Sequence, residues 1–391
     1  MARAPRNLGL ATVAFALCFT AWGLIAPLAK KFEDQYGLSS TRTAVLIAIP
    51  VVLGSLLRIP VGQLTDRRGG RRMFSLLLIV SALPALALGY ANSFWTLVGV
   101  GFLLGIAGSS FAVGVPFVAG WYEKERQGFA VGIYGMGNIG TAVAAFSAPA
   151  IVNHWGRHAL GWIVAAVLVG GAVLFWFGAT DPPARPAVRY REVLKAGWRL
   201  YRLALFYFVT FGGFVAMALF LPKLLSDWFD YSKTDAGLRA AGFTVFATFA
   251  RPFGGWLSDR LGPYPVLVLG FAGIAVDAGV LAAIAHDPTI VPVTVACLSM
   301  ATFLGIGNGA VFKMVPHEFP ENTGAATGIV GAAGGLGGFF PPLLMGVVKD
   351  ELGSYALGFV GLLVFTACCL ALAVWLLRSA PPSELRGVQH A

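Results

Sequence analysis

Arg58 and Arg251 each interrupt an otherwise apolar run, at 45–64 and 242–257, and they do so at matching places. Each stands eight residues before an aspartate in a loop-like motif, Arg58…Gly62-Gln63-Leu64-Thr65-Asp66-Arg67 and Arg251…Gly255-Trp256-Leu257-Ser258-Asp259-Arg260. One constant offset, 193 positions, carries Arg58, Gly62, Leu64, Asp66, Arg67 and Gly69 onto Arg251, Gly255, Leu257, Asp259, Arg260 and Gly262. At about 1.5 Å of rise per residue, eight helical residues place each guanidinium roughly 12 Å inside the membrane edge. That is near the middle of a hydrocarbon core about 30 Å thick. A cation there costs roughly 3 to over 10 kcal/mol unless it faces a cavity and a counter-ion. A duplicated midplane cation therefore suggests a site for a small anion, shared between the two halves of a membrane transporter.

The composition agrees with a membrane protein. Hydrophobic residues make up 57% of the chain and charged ones 12%, against about 25% charged in soluble domains. Fifty glycines fit membrane helices whose backbones approach closely. The net charge of +10 forms no single basic face, since the positive residues lie between apolar segments; no nucleic-acid partner is expected. Cys18, Cys297, Cys368 and Cys369 all fall within apolar segments and make no CxxC or Cys/His spacing, so neither a metal site nor a disulfide framework is expected. Arg3 and Arg6 before an apolar stretch resemble a signal peptide, but the stretch, 8–29, is long enough to span and is read as the first membrane helix.

Apolar segments of membrane-spanning length recur at 8–29, 43–64, 73–91, 94–118, 128–152, 159–179, 200–224, 238–257, 264–285, 290–315, 324–347 and 355–377. The expected fold class is an all-α membrane protein of twelve transmembrane helices, arranged as two pseudo-symmetric six-helix bundles. The expected domains are an N-terminal bundle over 1–180, a linker over 181–199 and a C-terminal bundle over 200–391. Lysines and arginines concentrate in the two tails and in loops after even-numbered segments, which predicts cytoplasmic termini and residence in the cytoplasmic (inner) membrane. Further echoes support duplication: Gly105-Ile106…Pro116 against Gly305-Ile306…Pro316, and Gly132-Ile133-x-Gly135 against Gly328-Ile329-x-Gly331.

The run Gly62-Gln63-Leu64-Thr65-Asp66-Arg67-Arg68-Gly69-Gly70-Arg71-Arg72 resembles the signature loop of the major facilitator superfamily. On that resemblance Gly62, Asp66, Arg67, Gly69 and Arg71, with the second copy's Asp259 and Arg260, are expected to govern gating, Asp66 capping or pairing across the halves. The fifth and eleventh segments carry glycine every three or four residues, at 128–140 and 324–338. Such a face suits close helix packing, or close approach of backbone to a small ligand. Together with Arg58 and Arg251, these runs resemble the nitrate/nitrite porters of the superfamily, whose anion is held between the two arginines. The resemblance covers all twelve segments and departs from the family in short loops, and in Gly334-Gly335 where the fifth segment has Asn138. It implies substrate contacts from Arg58, Arg251, Phe111, Asn138, Tyr207, Phe211, Gly135 and Gly331. It also picks out Gly307-Asn308-Gly309 and Phe312-Lys313 in the tenth segment as family-like.

The chemistry of those residues suits nitrate independently. Nitrate is planar, singly charged and unprotonated near neutral pH, and a guanidinium fork donates two parallel hydrogen bonds to two of its oxygens. Phenyl rings such as Phe111 and Phe211 cover flat faces, and Tyr207 or Asn138 supplies a further donor. Asp277 is the one carboxylate placed deep in a segment, as a proton carrier or a packed structural group; Lys313 snorkels or guides anions. The expected function is nitrate import by alternating access, with nitrite exchange. The alternatives are proton-coupled nitrate symport and transport of another small anion such as an organic carboxylate. No nucleophile or metal cluster lies in the apolar segments, so no enzyme activity and no cofactor are expected, and a monomer is.

Overall fold

In the computed structural model, residues 3–122, 124–183, 193–319 and 323–379 are described, and among them the chain is helical with no strand. Helix α1 covers Arg3–Tyr36 and bends through the turn Ala26–Leu28, where Pro27 sits. Helix α2 is Ser40–Leu56 run on by Arg58–Arg68, α3 is Gly70–Leu88, and α4 is Phe94–Gly108 run on by Ser110–Ala119. Helix α5 is Lys124–Gly135 and the turn Met136–Asn138, and it enters the continuous stretch Ile139–Gly178. The part of that stretch beyond Gly156 is α6. Helices α7 to α10 are Trp198–Phe229, Lys233–Leu261, Pro263–Ile284 and Ile290–Glu318. Helix α11 is Thr323–Gly337 run on by Phe340–Leu352, and α12 is Ala356–Ser379.

Length and hydropathy alone pick ten of these stretches as membrane spans. The number falls short of twelve for two reasons. Helices α5 and α6 run together as Ala130–Gly178, and α8, with Arg239, Arg251 and Arg260 among its residues, is less apolar than the others. The loop expected over 153–158 is reduced to Gly156, whose φ of 82° breaks an otherwise continuous helical path. A left-handed φ is strained for any residue with a Cβ, so glycine is the residue for that break.

The duplication read from sequence reappears in the backbone. Gly69, between α2 and α3, has φ 84° and ψ 149°; Gly262, between α8 and α9, has φ 82° and ψ 157°. Each closes the helix before it, Gly69 N–H donating to Thr65 O at 2.9 Å and Gly262 N–H to Ser258 O at 3.1 Å. The side chains of Asp66 and Asp259 lie outside the described residues. The cap that is visible on α3 comes from Asp181, whose Oδ1 accepts the Arg71 N–H at 2.8 Å. Of the expected linker over 181–199, residues 184–192 also lie outside the described ones.

The two halves meet along α2 with α11 and α5 with α8. Glycine permits both approaches at the end of the molecule opposite the termini. A Cβ on Gly237 of α8 would run into Ala145 O of α5, and one on Gly346 of α11 into Ala44 of α2. Ala44 and Gly237 are themselves related by the 193 offset. Charge crosses at the same end. Lys223 of α7, 1% exposed, sits 2.8 Å from Glu33 of α1 and 2.7 Å from Asp227. Lys30 pairs with Glu33 at 2.8 Å, and Tyr355 Oη donates to Asp227 at 2.5 Å. Asp350, at the end of α11, caps α2 by accepting from the Ser40 and Thr41 N–H groups at 3.0 and 2.8 Å. This end is closed by packed backbone and by ion pairs. Replacing Gly237 with Leu is expected to hold α5 and α8 apart there, seen as a longer electron-spin distance between labels at Trp155 and Asp235. An unchanged distance would show that the glycine contact does not hold the end shut.

Candidate functional site

Besides the bend already described in α1, four helices are interrupted midway among the described residues: α2 at Leu57, α4 at Ser109, α5 at 136–138 and α11 at 338–339. The interruptions release backbone acceptors toward the interior. In α4, Ala112 N–H bonds Ser109 O instead of Gly108 O. In α5, Ile139 N–H bonds Gly137 O and Met136 O instead of Gly135 O. Both freed carbonyls are taken by arginines. Arg58 Nε donates to Gly108 O at 3.4 Å, and Arg251 Nη1 to Gly135 O at 3.5 Å.

Each arginine also reaches into the opposite half. Arg58, on α2, donates through Nη1 to Gly331 O of α11. Arg251, on α8, meets Gly135 of α5. The two glycines are the paired positions of the two glycine runs, so the crossing is reciprocal. Arg58 is 3% exposed and Arg251 4%. Space is tight around Arg58: a Cβ on Gly335 would lie 3.2 Å from its Nη1, and one on Gly331 3.7 Å. In α11, then, glycine serves approach to a charged group, while Gly334 and Gly337 of the same run pack on Tyr207 and the Phe208 backbone.

Aromatic faces complete the cage. The Arg58 guanidinium stands 5.4 Å from the Phe111 ring centre and 5.3 Å from that of Phe211; Arg251 stands 5.4 Å from Phe211 and 4.9 Å from Phe214. A desolvated contact of this kind contributes about 2 kcal/mol. Phe211 lies under both cations. Phe111 and Phe211 face each other at 6.4 Å and 25°, and Tyr207 stacks on Phe211 at 4.9 Å and 2°. Phe312 of α10 closes the side, 5.4 Å from Phe111 and 5.1 Å from Tyr207. A narrow crevice lined by Ser55, Arg58, Gly108, Phe211 and Gly335 enters this cluster.

Several buried polar atoms here have no partner among the described residues: Arg251 Nε and Nη2, Tyr207 Oη, Ser55 Oγ and Asn138 Oδ1. Asn138 Nδ2 turns back to Gly135 O at 2.5 Å, the same carbonyl that Arg251 approaches. No carboxylate among the described residues forms an ion pair with either guanidinium. What the arrangement offers is two fixed positive charges, a flat aromatic slot and spare donors.

The eight residues expected to contact substrate, Arg58, Arg251, Phe111, Asn138, Tyr207, Phe211, Gly135 and Gly331, are thus brought around one centre. The residues expected to gate are not there. Arg67 is exposed at the end of α2, Arg71 stacks on Trp176 at 4.8 Å, and Arg260 lies over Trp256 at 4.2 Å. Gly62 is buried in α2. Asp277 lies away from the arginines, on α9 with Ser299 of α10 as its hydrogen-bond partner. Lys313 is half-buried toward the end of α10. Sequence reasoning missed Phe214, the carbonyl of Gly108 and the Lys223 cluster. Lys223 with Asp227 one helical turn on was a legible pair; the freed carbonyl left no mark in the sequence.

The chain matches the Major Facilitator Superfamily model over residues 11–222 and again over 203–390. A nitrite extrusion protein of Bacillus subtilis is 40% identical over 95% of this chain and 94% of its own. The probable nitrate/nitrite transporter NarK2 of Mycobacterium tuberculosis is 42% identical over 97% and 98%, and the probable nitrate transporter NarT of Staphylococcus epidermidis 39% over 95% and 96%. Among solved structures, a bacterial homologue of the human lysosomal transporter Spinster, inward-facing and occupied, superposes with a TM-score of 0.74 over 97% of both chains at 20% identity.

Because the Tyr207 hydroxyl has no partner among the described residues, Tyr207→Phe is expected to leave thermal stability in detergent within about 0.5 kcal/mol of the parent protein. Phe211→Ala removes the ring under both cations and is expected to cost about 3–5 kcal/mol. Equal melting temperatures for the two variants would contradict this account of the cage.

Proposed function

The chain belongs to the nitrate/nitrite porter family of the major facilitator superfamily, and on that premise we propose that it carries nitrate across the membrane by alternating access, the ion held between Arg58 and Arg251. One observation carries the reading: two buried guanidiniums from opposite halves share the Phe211 ring, and no described carboxylate pairs with either. An anion is the partner that such a pair lacks. The names borne by the relatives, nitrate and nitrite transporters, support the choice of ion.

The rings support a planar one. A flat ion in contact with two aromatic faces needs roughly 7 Å between them, and Phe111 and Phe211 stand 6.4 Å apart. Sub-ångström ring movement is enough for nitrate or nitrite, whereas tetrahedral oxyanions and organic carboxylates need more. Two oxygens of the ion accept the fork of one guanidinium, and the other cation, with Tyr207 or Asn138, supplies the remaining donors. Gly135 and Gly331 leave room for the backbone to close in.

In this reading the bundles 1–180 and 200–391 rock about the midplane site, joined by the linker 181–199. Without an anion, Arg58 and Arg251 repel one another in a medium of low dielectric and oppose closure. A bound anion removes that repulsion, so the switching form is the loaded one. This favours exchange of one anion for another, nitrate inward against nitrite outward. The Gly62–Arg71 motif and its copy with Asp259 and Arg260 hold the face that bears the termini, and the Lys223–Glu33–Asp227 cluster shuts the opposite one. The positive-inside bias supports cytoplasmic termini in an inner membrane, and in this reading the protein acts as a monomer. The rival coupling is symport with protons, since anion entry against a negative interior costs about 2.3 kcal/mol per charge per 100 mV.

Purified protein in liposomes tests both. Nitrate entry that requires internal nitrite and ignores a proton gradient establishes exchange; entry into nitrite-free liposomes driven by an inward proton gradient establishes symport. No nitrate movement under either condition sinks the substrate assignment. Arg58→Lys and Arg251→Lys keep the charge and lose the fork, and each is expected to lower nitrate transport at least about tenfold, or roughly 1.4 kcal/mol. Near-parental nitrate affinity in both would refute the bidentate hold.

A further inference from the structure

The two arginines are related by the duplication, but their surroundings are not equivalent. Arg58 has two carbonyl acceptors, Gly108 O at Nε and Gly331 O at Nη1. Arg251 has one, Gly135 O at 3.5 Å, and its Nε and Nη2 are without partners among the described residues. The echo that carries Gly105-Ile106…Pro116 onto Gly305-Ile306…Pro316 sets Asn308 in the place of Gly108. Asn308 is 0% exposed, and neither its Oδ1 nor its Nδ2 has a partner among the described residues. A buried amide left without partners is unfavourable, so its retention calls for a reason.

Packing shows where this amide faces. Gly309 of α10 is pressed against Arg251 O of α8, and a Cβ on Gly307 would lie 2.6 Å from Thr210 of α7. With 100° of turn per residue, position 308 between them points into the wedge of α7 and α8. That wedge holds the Arg251 guanidinium, over Phe211 and Phe214. Phe312, one turn along the same face, already touches Phe111 and Tyr207. Two buried side chains thus point toward that wedge with unused capacity: Asn308, with an amide acceptor and an amide donor, and Arg251, with the N–H edges at Nε and Nη2.

Resting on the two-arginine reading above, we propose that Asn308 is a positioning and specificity residue of the anion site: when a planar oxyanion is bound, its Oδ1 accepts from Arg251 and aims the fork, and its Nδ2 donates to an oxygen of the ion. A carboxamide is the side chain that presents both an acceptor and two donors without charge. A carboxylate in its place would pair with Arg251 and repel the anion. An apolar residue would leave Arg251 unaimed. The first half needs no such group, since Gly108 O performs the accepting role there.

The test is nitrate binding by calorimetry on the purified full chain, with Asn308→Ala, Asn308→Ser and Asn308→Asp beside Arg58→Lys and Arg251→Lys. Nitrate affinity is expected to fall about tenfold or more in Asn308→Ala, with nitrate-free melting unchanged, and less in Asn308→Ser. Asn308→Asp is expected to bind no nitrate at neutral pH and to regain binding on acidification, as its carboxyl takes up a proton and stops repelling the anion. That recovery, read in one folded sample, is something a mere packing role would not produce. It decides the matter if Asn308→Ala fails to fold. Parental affinity in Asn308→Ala, or a loss in Asn308→Asp that is flat with pH, overturns the inference while loss of binding in the arginine variants leaves the two-arginine reading standing. Parental affinity in both arginine variants overturns that reading and this one with it.

Discussion

A guanidinium does not shed its proton at physiological pH, so carrying one into the middle of a bilayer obliges the surrounding chain to compensate a full charge. Here two must be compensated. Among the described residues the compensation is unusual in kind: freed backbone carbonyls and aromatic faces instead of carboxylates. Gly108 O and Gly135 O are available because α4 and α5 are broken beside them, and the breaks sit at the level of the arginines. Phe111, Phe211 and Phe214 add quadrupole attraction without adding negative charge. Dipoles and rings lower the cost of the cations and leave their net charge intact. A carboxylate would have cancelled it, and with it the attraction for an anion.

That choice shapes the rest of the molecule. Because each cation is compensated from the opposite half, α2 must lie on α11 and α5 on α8, and these are the pairs through which the bundles meet. Glycine serves two purposes in those pairs. Gly237 and Gly346 let backbones touch, while Gly135, Gly331 and Gly335 let backbone stand against a guanidinium. A side chain at either kind of position would move the helices apart, and a charge would lose its acceptor. Packing and electrostatics are coupled at the same residues.

At the end opposite the termini, the halves are joined by opposite charges that cancel. Lys223 is held by Glu33 and Asp227, and Lys30 and Tyr355 share the same carboxylates. These groups are weakly solvated, so separating them is unfavourable until water reaches the cluster. The midplane pair and this cluster therefore respond to different events, the first to arrival of an anion and the second to entry of water from one face.

Much of this was legible in the chain. The offset of 193 announced two halves, and the φ angles of Gly69 and Gly262 repeat as the motif does. Arg58 and Arg251 were found because a permanent charge has few reasons to stand in an apolar run, and the resemblance to the nitrate/nitrite porters supplied the aromatic residues that 30 phenylalanines would otherwise conceal. Covalent order and residue chemistry by themselves determine those things: hydropathy, duplication, charge and the places where only glycine is tolerated. The tertiary structure alone decided which acceptor each arginine meets, that Asp181 caps α3, that Lys223 bridges the halves, and that the Asn308 amide is buried without a partner among the described residues. A backbone carbonyl is present at every residue and becomes a ligand only where a helix breaks and a partner from the other half arrives. The sequence carries no residue type for that event, because it belongs to the packing of two distant segments.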